Sequence, residues 1–166
     1  MKLIYHPDAF LEKKLKDVDI KNPGFDPKEL KENMVNFMIK NKGIGLSASQ
    51  IGMDAQVFVM GENKESSVLV INPVVLQHTE ETVTDIEGCL SFPNIFLKIK
   101  RPKEILAKWY DENLKEVSTK ITGYSAKCFL HEWDHLQGIT FKDRVSKLKW
   151  DFAVKKAKKL ERRNGI

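Results

Sequence analysis

Hydrophobic positions recur at helical spacing in the first part of the chain. Between residues 27 and 42 the apolar side chains fall on one helix face, at Leu30, Met34, Phe37 and Met38. Asp26 is placed to cap this helix at its start, with Pro27 in the first turn, and Gly43 is placed to end it. The pattern predicts an amphipathic helix in the N-terminal half.

A series of short apolar or alternating segments follows. They cover residues 56–60, 68–71, 82–86, 96–100, 105–110 and 116–121, and residues 111–113 are typical of a hairpin turn. A second helix is predicted over 124–137, where Pro and Gly are absent and Gly138 follows as a stop. Because the strands are grouped rather than alternating with helices, the order favours an α+β fold with antiparallel sheets around this second, central helix.

A third helix is predicted from Ser146 onward. Its apolar positions at 3.6-residue spacing are Trp150, Ala153, Val154, Ala157 and Leu160. Val145, Leu148 and Phe152 add apolar groups to the early turns, which are therefore expected to dock on the body, while the later cationic turns project outward. We expect one domain over residues 1–166, with 144–166 as a basic C-terminal helical segment.

Composition sets the class of protein. The 166 residues are 42% hydrophobic and 31% charged, as in soluble globular proteins, and two cysteines are too few for a disulfide framework. Apolar runs stay well short of the ~20 residues of a membrane span. Pro7 and Asp8 come too early for the core of a signal peptide. These features predict a cytoplasmic protein without a membrane partner.

Charge is concentrated at the C-terminal end. The chain carries a net +5, and residues 144–166 hold nine Lys or Arg and two acids, so the remaining 143 residues carry −2. Such a segment can bind a polyanion or form a solvated helix face, and the sequence leaves both open.

The most specific chemical pattern is His131-Glu132-Trp133-Asp134-His135. Residues four apart lie on the same face of a helix, so the two imidazoles can hold one divalent metal ion. Glu132 is then placed to take a proton from a water on that ion. A surface helix that carries two histidines without a metal is the alternative.

A third ligand has to come from elsewhere. His6 and His78 have no helpful spacing, whereas Cys89 follows Gly88, a residue that permits unusual backbone geometry beside the thiol. A metal would deprotonate this thiol. An isolated cysteine is also common as a small buried hydrophobe, so spacing alone does not decide its role.

The segment from Gly43 to Gln50 is rich in small residues. It lacks the Gly-Lys-Ser/Thr ending of a phosphate-binding loop. Its glycines, Gly43 and Gly45, permit close approach to an extended ligand, and Gln50 offers an amide donor. A helix end followed by a turn would explain the segment equally well.

Taken together, three segments resemble the signature motifs of the peptide deformylase family. They are Gly-Ile-Gly-Leu-Ser-Ala-Ser-Gln at 43–50, Glu-Gly-Cys-Leu-Ser at 87–91 and His-Glu-Trp-Asp-His at 131–135. The resemblance implies that Cys89, His131 and His135 bind one divalent metal, typically Fe(II), with Ni, Co or Zn able to substitute. Ligand softness and geometry alone would have suggested zinc.

The implied reaction is hydrolysis of the formyl amide at the N-formylmethionyl terminus of nascent peptides. By similarity, Glu132 is the general base, and the Gln50 side-chain amide and the Leu90 backbone N–H stabilise the oxyanion. The expected substrate-binding residues are Gly43, Ile44, Gly45, Ile86, Glu87, Tyr124 and Cys128, and core packing would explain Ile44, Ile86, Tyr124 and Cys128 equally well. Glu87 could also accept a hydrogen bond from a metal-ligating imidazole, and Asp134 could pair with Arg101.

Two departures from the family pattern concern the cleft. Ser47 stands where the first motif usually has alanine, and residues 92–97 lack the arginine that some members carry near the cleft mouth. These differences leave open the preference for substrate residues beyond the first. By resemblance, we expect a monomer whose basic C-terminal helix contacts ribosomal RNA.

Two rival functions remain. A zincin-type protease needs a further ligand downstream, but no histidine follows His135 and the nearest acids are Asp143 and Asp151. The second rival is an RNA-binding module with a structural metal. Protein ligands would normally fill all four coordination positions of such a metal, and only three ligands are evident.

Overall fold

Two antiparallel sheets and three α-helices make up the fold in the computed structural model, which describes residues 1–164. The larger sheet has the strand order β1-β2-β3-β6-β7, and β4 and β5 form a separate pair. The strands are β1 Gly45–Ser47, β2 Val57–Met60, β3 Val68–His78, β4 Thr82–Cys89, β5 Phe92–Pro102, β6 Glu104–Tyr110 and β7 Glu116–Thr122. The helices are α1 Pro27–Lys40, α2 Gly123–Leu136 and α3 Lys147–Asn164. The predicted α+β class is confirmed.

Helix α1 begins as its sequence predicts. The Asp26 side chain accepts hydrogen bonds from the backbone N–H groups of Lys28 and Glu29, and Met34 and Met38 are fully buried. The helix ends two residues earlier than predicted, because Lys42 adopts a left-handed backbone with φ 59°.

Helix α2 is the centre of the molecule and packs against strands of both sheets. Phe129 on this helix contacts Phe58 and Trp109 of the larger sheet, with ring centroids 5.1 and 5.7 Å apart. Gly138 follows the helix with φ +73°, and an added Cβ there would lie 2.5 Å from the Glu12 carbonyl oxygen. Glycine is therefore required at this stop on both steric and conformational grounds.

Helix α3 lies against the second sheet through the apolar face that its 3.6-residue spacing predicts. Trp150 and Ala153 pack on a small apolar cluster under β5, and Ala157 is buried. The early turns dock as predicted, and Val145 contributes to the contact. Leu148 and Phe152 are 65% and 62% exposed, so the expectation that these two residues take part is wrong.

The observed strand boundaries differ most from the predicted ones at β1 and β3. The sequence does not predict the three-residue strand β1, because it is short and carries small residues. Strand β3 continues past its predicted end at Ile71 through an irregular register. Asn72 adopts φ 50°, and its side-chain amide hydrogen-bonds with the N–H and C=O of Val18, both at 2.8 Å, which fixes this bend.

Within residues 1–164, every helix is too short or too polar to cross a bilayer.

Candidate metal centre and catalytic cleft

Three possible metal ligands meet where strand β4 ends beside helix α2. Their ligating atoms, from Cys89, His131 and His135, all lie within 4.8 Å of one another. The Cys89 Sγ atom is 3.2 Å from Nε2 of His135. Helical spacing aligns the two imidazoles, and the end of β4 brings the thiol to them. One sulfur and two nitrogens form a donor set suited to a borderline-soft divalent ion.

A buried carboxylate orients one of these imidazoles. His131 Nδ1 lies 2.8 Å from Glu87 Oε2 and, because an ionised carboxylate can only accept, Nδ1 is the donor. This leaves Nε2 of His131 as the nitrogen available for an ion. Burial alone would raise the pKa of Glu87, but hydrogen bonds from Arg101 and His131 outweigh it and lower the pKa to about 2.

Arg101 joins the two elements that carry the ligands. Its Nε and Nη2 donate to the two carboxylate oxygens of Glu87 at 2.6 and 2.9 Å, and Nη1 donates to Asp134 on α2 at 2.8 Å. Arg144 also donates to Asp134, with its Nε 3.0 Å from Oδ2. The Asp134–Arg101 pair that the sequence suggested is therefore present, and it is buried rather than superficial. Removing one member of such a buried pair typically costs about 3–5 kcal/mol of folding free energy.

Glu132 is the buried acid that faces the cleft. Burial raises its pKa to about 7, against the opposing charge of His131. Its Oε2 atom and the Nδ1 atom of His135 have no hydrogen-bond partner among the described residues. Buried polar atoms normally have partners, so an unpartnered oxygen here fits a site completed by an ion and its water.

Gly45 makes room for this carboxylate. A Cβ added at Gly45 would lie 2.7 Å from Cδ of Glu132 and overlap its Oε1 atom. The sequence suggests that Gly45 permits close approach of an extended peptide. The structure adds a second reason for a glycine at residue 45, because any side chain there would displace Glu132.

Gly45→Ala should therefore reduce kcat/KM for formyl-peptide hydrolysis roughly tenfold or more, because a misplaced general base loses part of a contribution of about 10²–10⁴. Gly24→Ala is the control for backbone strain without overlap at the site, since Gly24 has φ +74° and a Cβ there meets nothing within 4 Å; it should lower stability and leave kcat/KM unchanged. Comparing kcat/KM with the thermal midpoint of each variant separates a loss of catalysis from a loss of stability. A Gly45→Ala enzyme with unchanged kcat/KM would show that Glu132 does not need this space.

The Gln50 side chain is held in one orientation. Its Oε1 atom accepts from the backbone N–H of Ser47 at 2.9 Å and lies 3.3 Å from the Ser47 hydroxyl. The amide nitrogen is thereby turned toward the cleft, where Nε2 lies 3.5 Å from Cys89 Sγ and 3.2 Å from Ser91 Oγ. The hydroxyl that replaces the usual alanine at residue 47 is thus hydrogen-bonded, and the amide presents a donor beside the candidate ligands.

A single cavity of about 490 Å³ brings the candidate residues together. It is lined by every predicted site residue except His135, whose Nε2 is 3.2 Å from Cys89 Sγ; these are Gly43, Ile44, Gly45, Gln50, Ile86, Glu87, Cys89, Leu90, Tyr124, Cys128, His131 and Glu132. Both carboxylate oxygens of Glu87 already accept hydrogen bonds from Arg101, so its geometry suits support of His131 better than contact with a ligand.

The N-terminal segment supports the site in a way that the sequence does not predict. The Ile4 backbone N–H donates to the Gln50 carbonyl at 2.8 Å, and that of His6 donates to the Ser91 carbonyl at 2.9 Å. Leu3 and Tyr5 line the same cavity. Pairing between a terminal segment and two loops depends on the tertiary fold, and neither spacing nor hydropathy could have indicated it.

Comparison with known proteins agrees with this geometry. A family model described as polypeptide deformylase matches residues 1–151. The peptide deformylase of Wolbachia from Brugia malayi is 40% identical over 147 residues, which are 81% of this chain and 82% of that protein. The peptide deformylase of Pelagibacter ubique is 36% identical over 163 residues, 96% of this chain and 94% of that protein.

Solved structures show the same likeness. The crystal structure of a peptide deformylase from Legionella pneumophila superposes with a TM-score of 0.87 at 30% identity, over 99% of this chain and 96% of that one. A sequence match over nearly the whole chain and a shared fold thus accompany the assembled cleft. The chain belongs to the polypeptide deformylase family.

Proposed function

We propose that Cys89, His131 and His135 hold one divalent metal ion, and that Glu132 is the general base beside it. As a deformylase, the chain is a hydrolase that removes the N-formyl group from nascent polypeptides, and its family is metal-dependent. The observation that carries the proposal is the convergence of one thiol and two imidazoles within 4.8 Å, next to an unpartnered buried carboxylate oxygen.

The ion would supply Lewis acidity, lowering the pKa of a bound water and polarising the formyl oxygen. We propose Fe(II) as the native ion, with Ni, Co or Zn able to replace it. The identity of the ion rests on the family resemblance, since the mixed S/N donor set suits several divalent metals.

The proton in the reaction is carried by Glu132. Its carboxylate accepts a proton from the attacking water and returns it to the nitrogen of the leaving amine. Both transfers require a group that neither binds the proton too tightly nor releases it too readily. A pKa of about 7, raised by burial, suits this exchange near neutral pH.

Two donors would stabilise the negative charge that develops on the formyl oxygen. One is the Gln50 amide, whose Nε2 is turned into the cleft by the Ser47 contacts. The other is the backbone N–H of Leu90, a residue that lines the cavity directly after Cys89. Donors already in place lower the barrier because they need no reorganisation during the reaction.

The methionine side chain would enter the part of the cavity formed by Ile44, Ile86, Tyr124 and Cys128. Burial raises the pKa of the Cys128 thiol, which therefore stays neutral and acts as an apolar surface. The segment from Gly43 to Gly45 would pair with the peptide backbone in an extended, strand-like mode.

The decisive experiment is an assay of formate release. Anaerobically purified protein loaded with Fe(II) should release one equivalent of formate from a formyl-Met peptide and leave internal peptide bonds of the same peptide intact. Cleavage of an internal bond without formate release would favour the zincin-type protease instead.

The basic end of α3 is a proposed contact to ribosomal RNA. Its cationic residues beyond Ala157 are Lys158, Lys159, Arg162 and Arg163, and the segment is largely solvent-exposed. We propose that the protein acts as a monomer in the cytoplasm. The last two residues of the predicted segment, Gly165 and Ile166, lie outside the described residues.

Truncation after Ala157 should weaken binding to ribosomes and flatten its salt dependence, while hydrolysis of a short free peptide stays nearly unchanged. Each phosphate that the truncated protein no longer neutralises should reduce the slope of log K against log salt by about 0.7–0.9. A matched control replaces four exposed lysines elsewhere, Lys14, Lys21, Lys28 and Lys40, by glutamine. Equal ribosome affinity of the full-length and truncated proteins at low salt would leave this helix as a solvated surface.

A further inference from the structure

An exposed aromatic ring stands at the mouth of the cleft. Phe96 on β5 is 66% exposed and lines the same cavity as the proposed catalytic groups. It pairs with Gly88 across the β4–β5 ladder, and a Cβ added to Gly88 would lie 2.8 Å from Phe96 Cε1. The ring therefore lies against backbone that is one residue from Cys89.

Ile86 extends this apolar surface. It is 54% exposed and lies two residues before Gly88, on the same face of the strand pair as Phe96. Residues 92–97 contain no charged side chain. Ile86 and Phe96 together form an apolar ledge that continues from the proposed methionine site to the cleft mouth. Exposed Lys98, which pairs with Ile86 across the ladder, borders this ledge on the same face.

The alternation of side chains in an extended peptide indicates which substrate residue meets this ledge. Successive side chains point in opposite directions. If the first side chain points to the buried floor of the cleft, where α2 contributes Cys128 and Glu132, the second points to the exposed mouth where Phe96 stands.

We propose that Phe96 gives this deformylase a preference for bulky apolar side chains at the second residue of the substrate, directly after formyl-methionine. The inference rests on the proposed function, whose site it extends. A partly open apolar contact of this size should change kcat/KM roughly five- to tenfold. The competing explanation is that the ring only covers Gly88 to stabilise the strand pair.

The test measures kcat/KM on formyl-Met peptides that carry Leu, Phe, Gly or Asp at residue 2, and on a second set with the same changes at residue 3. We expect the wild type to favour Leu and Phe over Gly about five- to tenfold at residue 2 only. In Phe96→Ala this ratio should fall to within about twofold, and Phe96→Leu should restore most of it.

Phe152→Ala is the matched control, because Phe152 is a similarly exposed phenylalanine that does not line the cavity. It should keep the wild-type ratio. A ratio near one in the wild type, an unchanged ratio in Phe96→Ala, or a preference confined to residue 3 would overturn the inference and leave the proposed function standing. Failure of the wild type to deformylate any of the peptides would overturn the proposed function and this inference together.

Discussion

Glu132→Gln should retain the metal and lose roughly 10²–10⁴-fold in kcat/KM, because the amide fills the same space but cannot accept the proton. The variant should fold at least as stably as the wild type, since it replaces a buried, incompletely paired carboxylate by a neutral group. The measurements are metal content by elemental analysis and formate release on the same preparation.

Glu65→Gln provides the control for this change, because Glu65 is an exposed acid outside the cavity. Its activity should equal that of the wild type. Normal turnover by the Glu132→Gln enzyme with metal bound would remove Glu132 from the mechanism and require another proton acceptor.

Cys89→Ser should reduce metal affinity by more than about 100-fold. The loss of a residue that merely supports a ligand commonly costs 10–100-fold, and the loss of a ligating thiolate should cost more. Competition with a chelator, followed by elemental analysis, measures the affinity directly. Peroxide should also inactivate the Fe(II) form of the wild type, through the metal or the thiolate.

The chain supplies its own matched control for that substitution. Cys128→Ser changes the other cysteine, which lies in the same cavity but outside the group of three candidate ligands. It should keep a full equivalent of metal with wild-type affinity. A Cys89→Ser protein that binds metal as tightly as the Cys128→Ser protein would show that Cys89 is not a ligand.

The parts of the fold that the sequence predicted are those with strong local patterns. Helix α2 could be placed within one residue at each end, because its pattern is uninterrupted and Gly138 can only end it. The extent of the docked surface on α3 could not be predicted in the same way. Leu148 and Phe152 are apolar residues four apart on the helix, yet they stay exposed while Trp150 and Ala153 contact the cluster under β5.

The residues of the candidate site also differ in how far the sequence could predict their positions. Helical spacing alone brings His131 and His135 together. The role of Cys89 depended on resemblance to a family, because Cys89 lies 42 positions before His131 in the sequence. Contacts between distant backbones could not be predicted at all. The overlap of Glu132 with the space beside Gly45 is one, and the hydrogen bond from Ile4 to Gln50 is another.

The buried ion-pair network also constrains how related sequences can diverge. Glu87, Arg101 and Asp134 are buried and joined through the Arg101 guanidinium, so the loss of one of them removes a partner from an opposite charge in the interior, whereas Arg144 is exposed at the edge of the network. Neutral drift at the three buried positions should therefore be concerted rather than independent. Among homologues, residues 87 and 101 should change together or not at all, whereas Phe96, which shares no charge with a neighbour, is free to vary with the nascent chains that each lineage produces.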